Sequence, residues 1–238
     1  HNDHNACHYI QTGHKWTRIA ANGSDVNAQP TDWPSMGSVV EYLSRHAPDA
    51  HTRELPDYIY LPNRFGHLQG YDRTGQYAGW LGSAYNALAT DIQKRNKTDN
   101  PYFRDCTDPE LDFSIKGLDK GISVDRLSTR SSLLDQFDEA RRRLDATESY
   151  RNYDRLRQRA LSLVTSEKMR RAFDIQQEPN KLRDAYGRHL FGQSCLMGRR
   201  MVEAGSRFVT VLWDAPDGYS WDSHRSSSHL QQHLIPGF

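Results

Sequence analysis

The chain has 238 residues, with 36% hydrophobic and 26% charged side chains and a formal net charge of +1. Its mean hydropathy is −0.85. Balanced charge gives no overall field toward nucleic acid or an anionic membrane, and no run of 18 apolar residues exists to span a bilayer. Three separated cysteines, Cys7, Cys106 and Cys195, form neither a disulfide framework nor a zinc knuckle.

His1, His4 and His8 are spaced three and four apart, which places them on one face of a helix. Ala6 to Gln11 is read as a short helix closed by Thr12-Gly13. Asn22 to Asp32 is a polar loop. Trp33-Pro34-Ser35 opens a helix running to about Arg45, with Met36, Val39, Val40 and Leu43 as its apolar stripe. Tyr58 to Leu61 reads as a short strand closed by Pro62, and Asn63 to Gln76 as a glycine-bearing loop. Gly79 to Asn86 mixes glycine with large aromatics, the composition of a core loop or of a pocket wall. Leu111 to Ile115 alternates apolar and polar residues, as a half-buried edge strand does.

Residues 123–205 are read as a helix-rich section holding five helices. They are expected at about Val124–Leu144, at Tyr150–Val164, after a Thr165 or Ser166 cap, after Glu178-Pro179 with Gly187 as its stop, and at His189–Ala204 with Gly205 beyond its end. The basic runs Arg141-Arg142-Arg143 and Arg199-Arg200 are interspersed with acids, so solvated helix faces account for them without a nucleic-acid groove. Phe208 to Trp213 is an apolar, β-branched run, expected to be a strand buried on both faces. Ligands bind beyond the carboxyl ends of such strands in open α/β sheets. Asp214, Asp217, Asp222 and His224 follow this one.

Seven of the eleven histidines lie in the first fourteen or last fifteen residues. In an extended segment, Asp222 and His224 point the same way, so carboxylate and imidazole can share one ion. Hard carboxylate and imidazole donors suit zinc, manganese or iron. The expected metal ligands are therefore Asp222 and His224, joined by His4, His8 or His1. Arg64 and Arg73 are candidate anion clamps by residue type. The chain begins without an initiator methionine and ends on Pro236-Gly237-Phe238, so it is read as an internal piece of a longer protein, one incomplete α/β domain.

Several segments resemble a sulfatase-like bacterial family of the alkaline-phosphatase superfamily. They are His8-Tyr9-Ile10-Gln11-Thr12-Gly13, Pro34-Ser35-Met36-Gly37-Ser38-Val39-Val40, Gly79-Trp80-Leu81-Gly82, and the stretch from Ala172-Phe173-Asp174 through Arg199-Arg200-Met201-Val202-Glu203-Ala204-Gly205 to Trp221-Asp222-Ser223-His224. The resemblance implies a central sheet flanked by helices and an active site at the strand ends. It implies a divalent metal (zinc, manganese or calcium), a small-molecule or glycan ester of sulfate or phosphate as substrate, and export from the cytoplasm. In such relatives a serine or threonine stands where this chain has His4. The alternative is accordingly a non-catalytic module that binds sulfated or phosphorylated glycans or a protein partner.

Overall fold

The structure is a computed structural model that describes residues 6–15, 27–48, 55–113 and 166–214. It is a mixed α/β arrangement in which helices cover both faces of a small parallel sheet. Among the described residues three strands, β1 (Tyr58–Leu61), β2 (Leu88–Ala89) and β3 (Phe208–Val211), lie in the order β2-β1-β3, and both pairings are parallel. Ile59 stands opposite Leu88 on one side and Val209 on the other.

Strand β1 occupies the centre, and all four of its residues are 0% exposed. Its alternation sorts two kinds of side chain onto two faces. Ile59 and Leu61 join the main apolar cluster, with Leu190, Leu196, Met197 and Met201. Tyr58 and Tyr60 form a smaller cluster on the other face, with Ala87, Phe208 and Leu212 packed around them. The strand expected to be buried on both faces was the last one, yet each residue of β3 is only half-buried. Among the described residues β3 pairs on one side only, with β1. An apolar run reports that a strand is covered, and strand order decides how completely.

Helix α1 (Ala6–Thr12) ends where expected, at Gly13, whose φ is +72°. Helix α2 (Met36–Arg45) is N-capped by the Ser35 hydroxyl, which accepts from Ser38 N. Three of the four residues of the expected apolar stripe of α2 face outward, with Met36 47%, Val39 37% and Leu43 60% exposed, and Val40 is half-buried. Its buried side is Gly37, Ser38, Glu41 and Ser44. The reason is close approach: a Cβ on Gly37 would stand 2.3 Å from the Tyr58 ring. Glu41 then accepts the Tyr58 backbone N–H at 2.9 Å and pairs with Arg45 at 2.8 Å. With Trp33 and Trp80, the outward stripe lines an open apolar cleft of about 560 Å³.

Among the described residues beyond 165 lie three further α-helices: α3 (Glu167–Phe173), α4 (Asn180–Ala185) and α5 (Leu190–Ala204). Ser166 caps α3 by accepting from Met169 N. Pro179 sits at the cap of α4. Gly205, at φ +114°, ends α5 in the left-handed region. Helix α5 lies against the sheet, and Gly198 permits its approach, since a Cβ there would meet Val211 at 3.0 Å. Arg200, expected as part of a solvated basic face, instead donates to Ala172 O at 3.0 Å and Arg171 O at 2.6 Å. It thereby satisfies last-turn carbonyls of α3.

The edge strand expected at Leu111–Ile115 does not form in its described part. Residues 107–111 make a turn, and Leu111 and Phe113 enter the main core. The edge is supplied by the two-residue β2. The expected helices at 124–144 and 150–164 lie outside the described residues. Among the described residues, no helix is long and apolar enough to cross a membrane.

Candidate functional site at the carboxyl edge of the sheet

Parallel pairing brings the carboxyl ends of β1 and β3 to one edge of the sheet, and the chain after each turns into polar residues. Beyond β1, a cis Leu61-Pro62 bond leads into Asn63 and Arg64. The Asn63 amide donates to Ile92 O at 2.8 Å and accepts from Ile92 N at 2.7 Å, tying this loop to the one after β2. Beyond β3 comes Asp214, 6% exposed. Its carboxylate accepts the Gly66 N–H at 2.7 Å. The left-handed conformation of Gly66 (φ +85°) helps set that turn. Gln76 holds the same loop closed, accepting from Phe65 N at 2.7 Å and donating to Phe65 O and Arg73 O, each at 2.9 Å. Trp213, the residue before Asp214, is fixed among Tyr102, Phe103 and Phe191.

Helix α1 closes this edge. Gly75, at φ +92°, lies against its backbone so tightly that a Cβ would stand 2.6 Å from His8 Cα. His8 Nδ1 is 3.0 Å from the Thr74 hydroxyl, and Thr74 donates to the Asp32 carboxylate at 3.0 Å. The same Asp32 oxygen accepts from Gln29 N at 2.8 Å. His8, Thr74 and Asp32 are 1%, 2% and 8% exposed. One turn along α1, Gln11 donates to the Tyr60 hydroxyl at 2.6 Å and approaches Cys7 Sγ at 3.4 Å.

Electrostatics join the two halves. Burial pushes the Cys7 thiol up to about 11; Gln11 opposes this, the Asp214 carboxylate adds to it and Arg73 opposes it. Burial thus favours the neutral thiol of Cys7 over the reactive thiolate. Burial likewise raises Tyr60 and Tyr102; the Asp214 charge adds to both, and a hydrogen bond with the Asp214 backbone opposes the rise at Tyr102. The edge thus combines a buried carboxylate, an oriented imidazole and two guanidinium groups.

The sequence-predicted residues fall unevenly. His8 is in the interior, not on a solvated stripe. Arg64 is half-buried, donating to Ala87 O at 2.9 Å with its guanidinium 4.9 Å from the Tyr77 ring centre. Arg73 is 4% exposed and stands 4.9 Å from both the Phe65 and Tyr71 ring centres. His1, His4, Asp217, Asp222 and His224 lie outside the described residues. Among the described residues, no group of three or more His, Cys, Asp or Glu side chains is placed to hold a metal ion. Asp32, Thr74 and Gln11 were not singled out by the sequence reading, because no local spacing links residues so far apart. Only the glycine after Thr74 hinted that something comes close there.

No curated protein and no solved structure matches the chain. The resemblance to a sulfatase-like family of the alkaline-phosphatase superfamily is corrected by the family comparison: the matching model covers residues 1–238 and is that of a distinct family, with no link to that superfamily in evidence. Short blocks shared in order gave a false kinship. The chain belongs to the family described as "Protein of unknown function (DUF1501)".

Proposed function

We propose that the carboxyl edge of the sheet serves a metal-dependent hydrolase acting on small phosphate or sulfate esters. The observation that supports this reading is the meeting of Asp214, the Arg64-bearing loop and helix α1 at one strand-end edge, the place where open parallel sheets bind ligands. Arg64 would hold non-bridging oxygens of the ester. The donor chemistry of Asp214 and His8 fits a hard or borderline divalent metal, although the described residues alone do not complete a ligand set. When bound, such a metal would polarise the ester and make a water nucleophilic near neutral pH.

The test is hydrolysis of p-nitrophenyl phosphate and p-nitrophenyl sulfate by chelated protein resupplied with zinc, manganese or calcium. Metal-restored turnover that falls by about 100-fold or more in Asp214→Asn supports the reading. No turnover with any metal sinks it. A second reading, a binding module for sulfated or phosphorylated glycans, draws support from the half-buried Arg64 guanidinium at the same edge, over the Tyr77 ring. It predicts calorimetric binding of such a glycan without turnover, weakened in Arg64→Ala.

A further inference from the structure

We propose that the pocket between the loops following β1 and β2 binds a small tetrahedral oxyanion, a phosphate or sulfate group, through His67, Lys94, Lys97 and the Asn96 amide. The inference rests on the ester reading above for the class of anion, and it requires neither metal nor turnover.

Parallel pairing of β1 and β2 sends both following loops to the same edge, where Asn63 ties one to the other. Between them lies a cavity of about 310 Å³, lined by His67, Leu68, Gln93, Lys94, Asn96 and Lys97. That volume is at the lower end for small-molecule sites, which run from about 300 to 1,000 Å³.

Two side-chain acceptors around the cavity are already engaged. Asp91 Oδ1 takes His67 Nε2 at 2.9 Å and the Gln93 amide at 2.5 Å. Asn96 Oδ1 takes Thr98 N at 3.0 Å and the Thr98 hydroxyl at 2.9 Å, which leaves its amide hydrogens to give. Lys94 Nζ meets a carbonyl alone, that of Lys97 at 3.4 Å. A carboxylate can only accept, so the proton shared with Asp91 sits on His67 Nε2. His67 Nδ1 has no protein partner among the described residues, and the side chain is 32% exposed. The imidazolium ring donates from both nitrogens, one to Asp91 and the other to an anion. Positive charge stays uncancelled here. Asp99 and Glu110, acids of the same loop, are taken up by Arg104 and Arg95. Neither lysine is paired with a carboxylate among the described residues. Several converging donors match the oxygens of a tetrahedral anion better than the two of a carboxylate.

The test is calorimetric titration of chelated full chain with sodium phosphate and with sodium sulfate, at neutral pH and constant ionic strength. Saturable binding is expected, about 10-fold weaker in Lys94→Ala/Lys97→Ala and in His67→Ala. The exposed pair Lys168→Ala/Arg170→Ala changes the net charge equally and should leave the affinity unchanged. In imidazole-labelled protein, phosphate should move the His67 ¹⁵N resonances, assigned by their loss in His67→Ala. No saturation with either anion below about 10 mM, equal weakening in the Lys168/Arg170 variant, or His67 resonances unmoved by phosphate overturns the proposal. Anion bound here without hydrolysis of any ester leaves the inference standing and removes the hydrolase reading; metal-restored hydrolysis without such binding does the reverse.

Discussion

His189 caps α5 with an imidazole where serine or aspartate is usual. Its Nδ1 accepts the Gly192 N–H at 3.1 Å, so that nitrogen must be unprotonated. Burial holds the His189 pKa below its ordinary value, against a smaller opposing effect of Asp105. A histidine that is harder to protonate when folded binds fewer protons in the native state than in the unfolded chain. Its contribution is therefore whole above the unfolded value of about 6.5 and declines as pH falls below it, levelling off beneath the folded value. Replacing His189 with Asp keeps a capping acceptor, now a carboxylate oxygen, and removes that dependence. The denaturation midpoint of His189→Asp should fall less between pH 7.5 and 5.5 than that of the native chain. A second contrast belongs at this scale. Glu41 is 2% and Leu43 60% exposed. Glu41→Ala strands a buried strand N–H and should lose about 1–3 kcal/mol, whereas Leu43→Ser should stay within about 0.5 kcal/mol. Urea titration of both variants checks the order, which an inward apolar stripe would reverse.

Glycines set the distances between elements. Gly37 places α2 on Tyr58, Gly75 places the 73–76 segment on α1, and Gly198 places α5 on Val211 and Val209. Gly192, in the first turn of α5, faces backbone: a Cβ would stand 1.9 Å from Tyr186 O. Backbone cannot swing aside as a long side chain can. Gly192→Ala should therefore cost at least about 1–3 kcal/mol through forced displacement, and more than Gly198→Ala, whose neighbour is a valine methyl. Equilibrium denaturation of the pair measures this; equal losses would mean that the turn before α5 yields. Buried polar side chains secure the same region. Arg183, 2% exposed, donates to Asp108 at 2.6 Å and Gln193 at 3.1 Å, joining α4 to the 107–111 turn and α5.

At the scale of the whole molecule, β1 couples two unlike cores, a large apolar one beneath α5 and a smaller, tyrosine-based, hydrogen-bonded one beneath α1 and α2. Leu196 is 0% exposed in the large core and Val202, on the same helix, 56%. Leu196→Ala should lose about 2–5 kcal/mol, and Val202→Ala should fall within about 0.5 kcal/mol; calorimetry of both verifies which face of α5 meets the sheet. The sequence by itself determined the local features: α1 with its glycine stop, the extent of α2, the strand at Tyr58–Leu61, the Ser166 cap and the end of α5 at Gly205. Each depends on neighbours within a few residues, through periodicity, capping oxygens and glycine. Only the tertiary structure decided that β1 is central, that α2 buries its small and polar side, and that His8 meets Thr74 and Asp32. These depend on partners separated by up to 66 positions for His8 and Thr74. Such contacts follow from close approach and from the need to pair every buried polar group, and no local spacing encodes them.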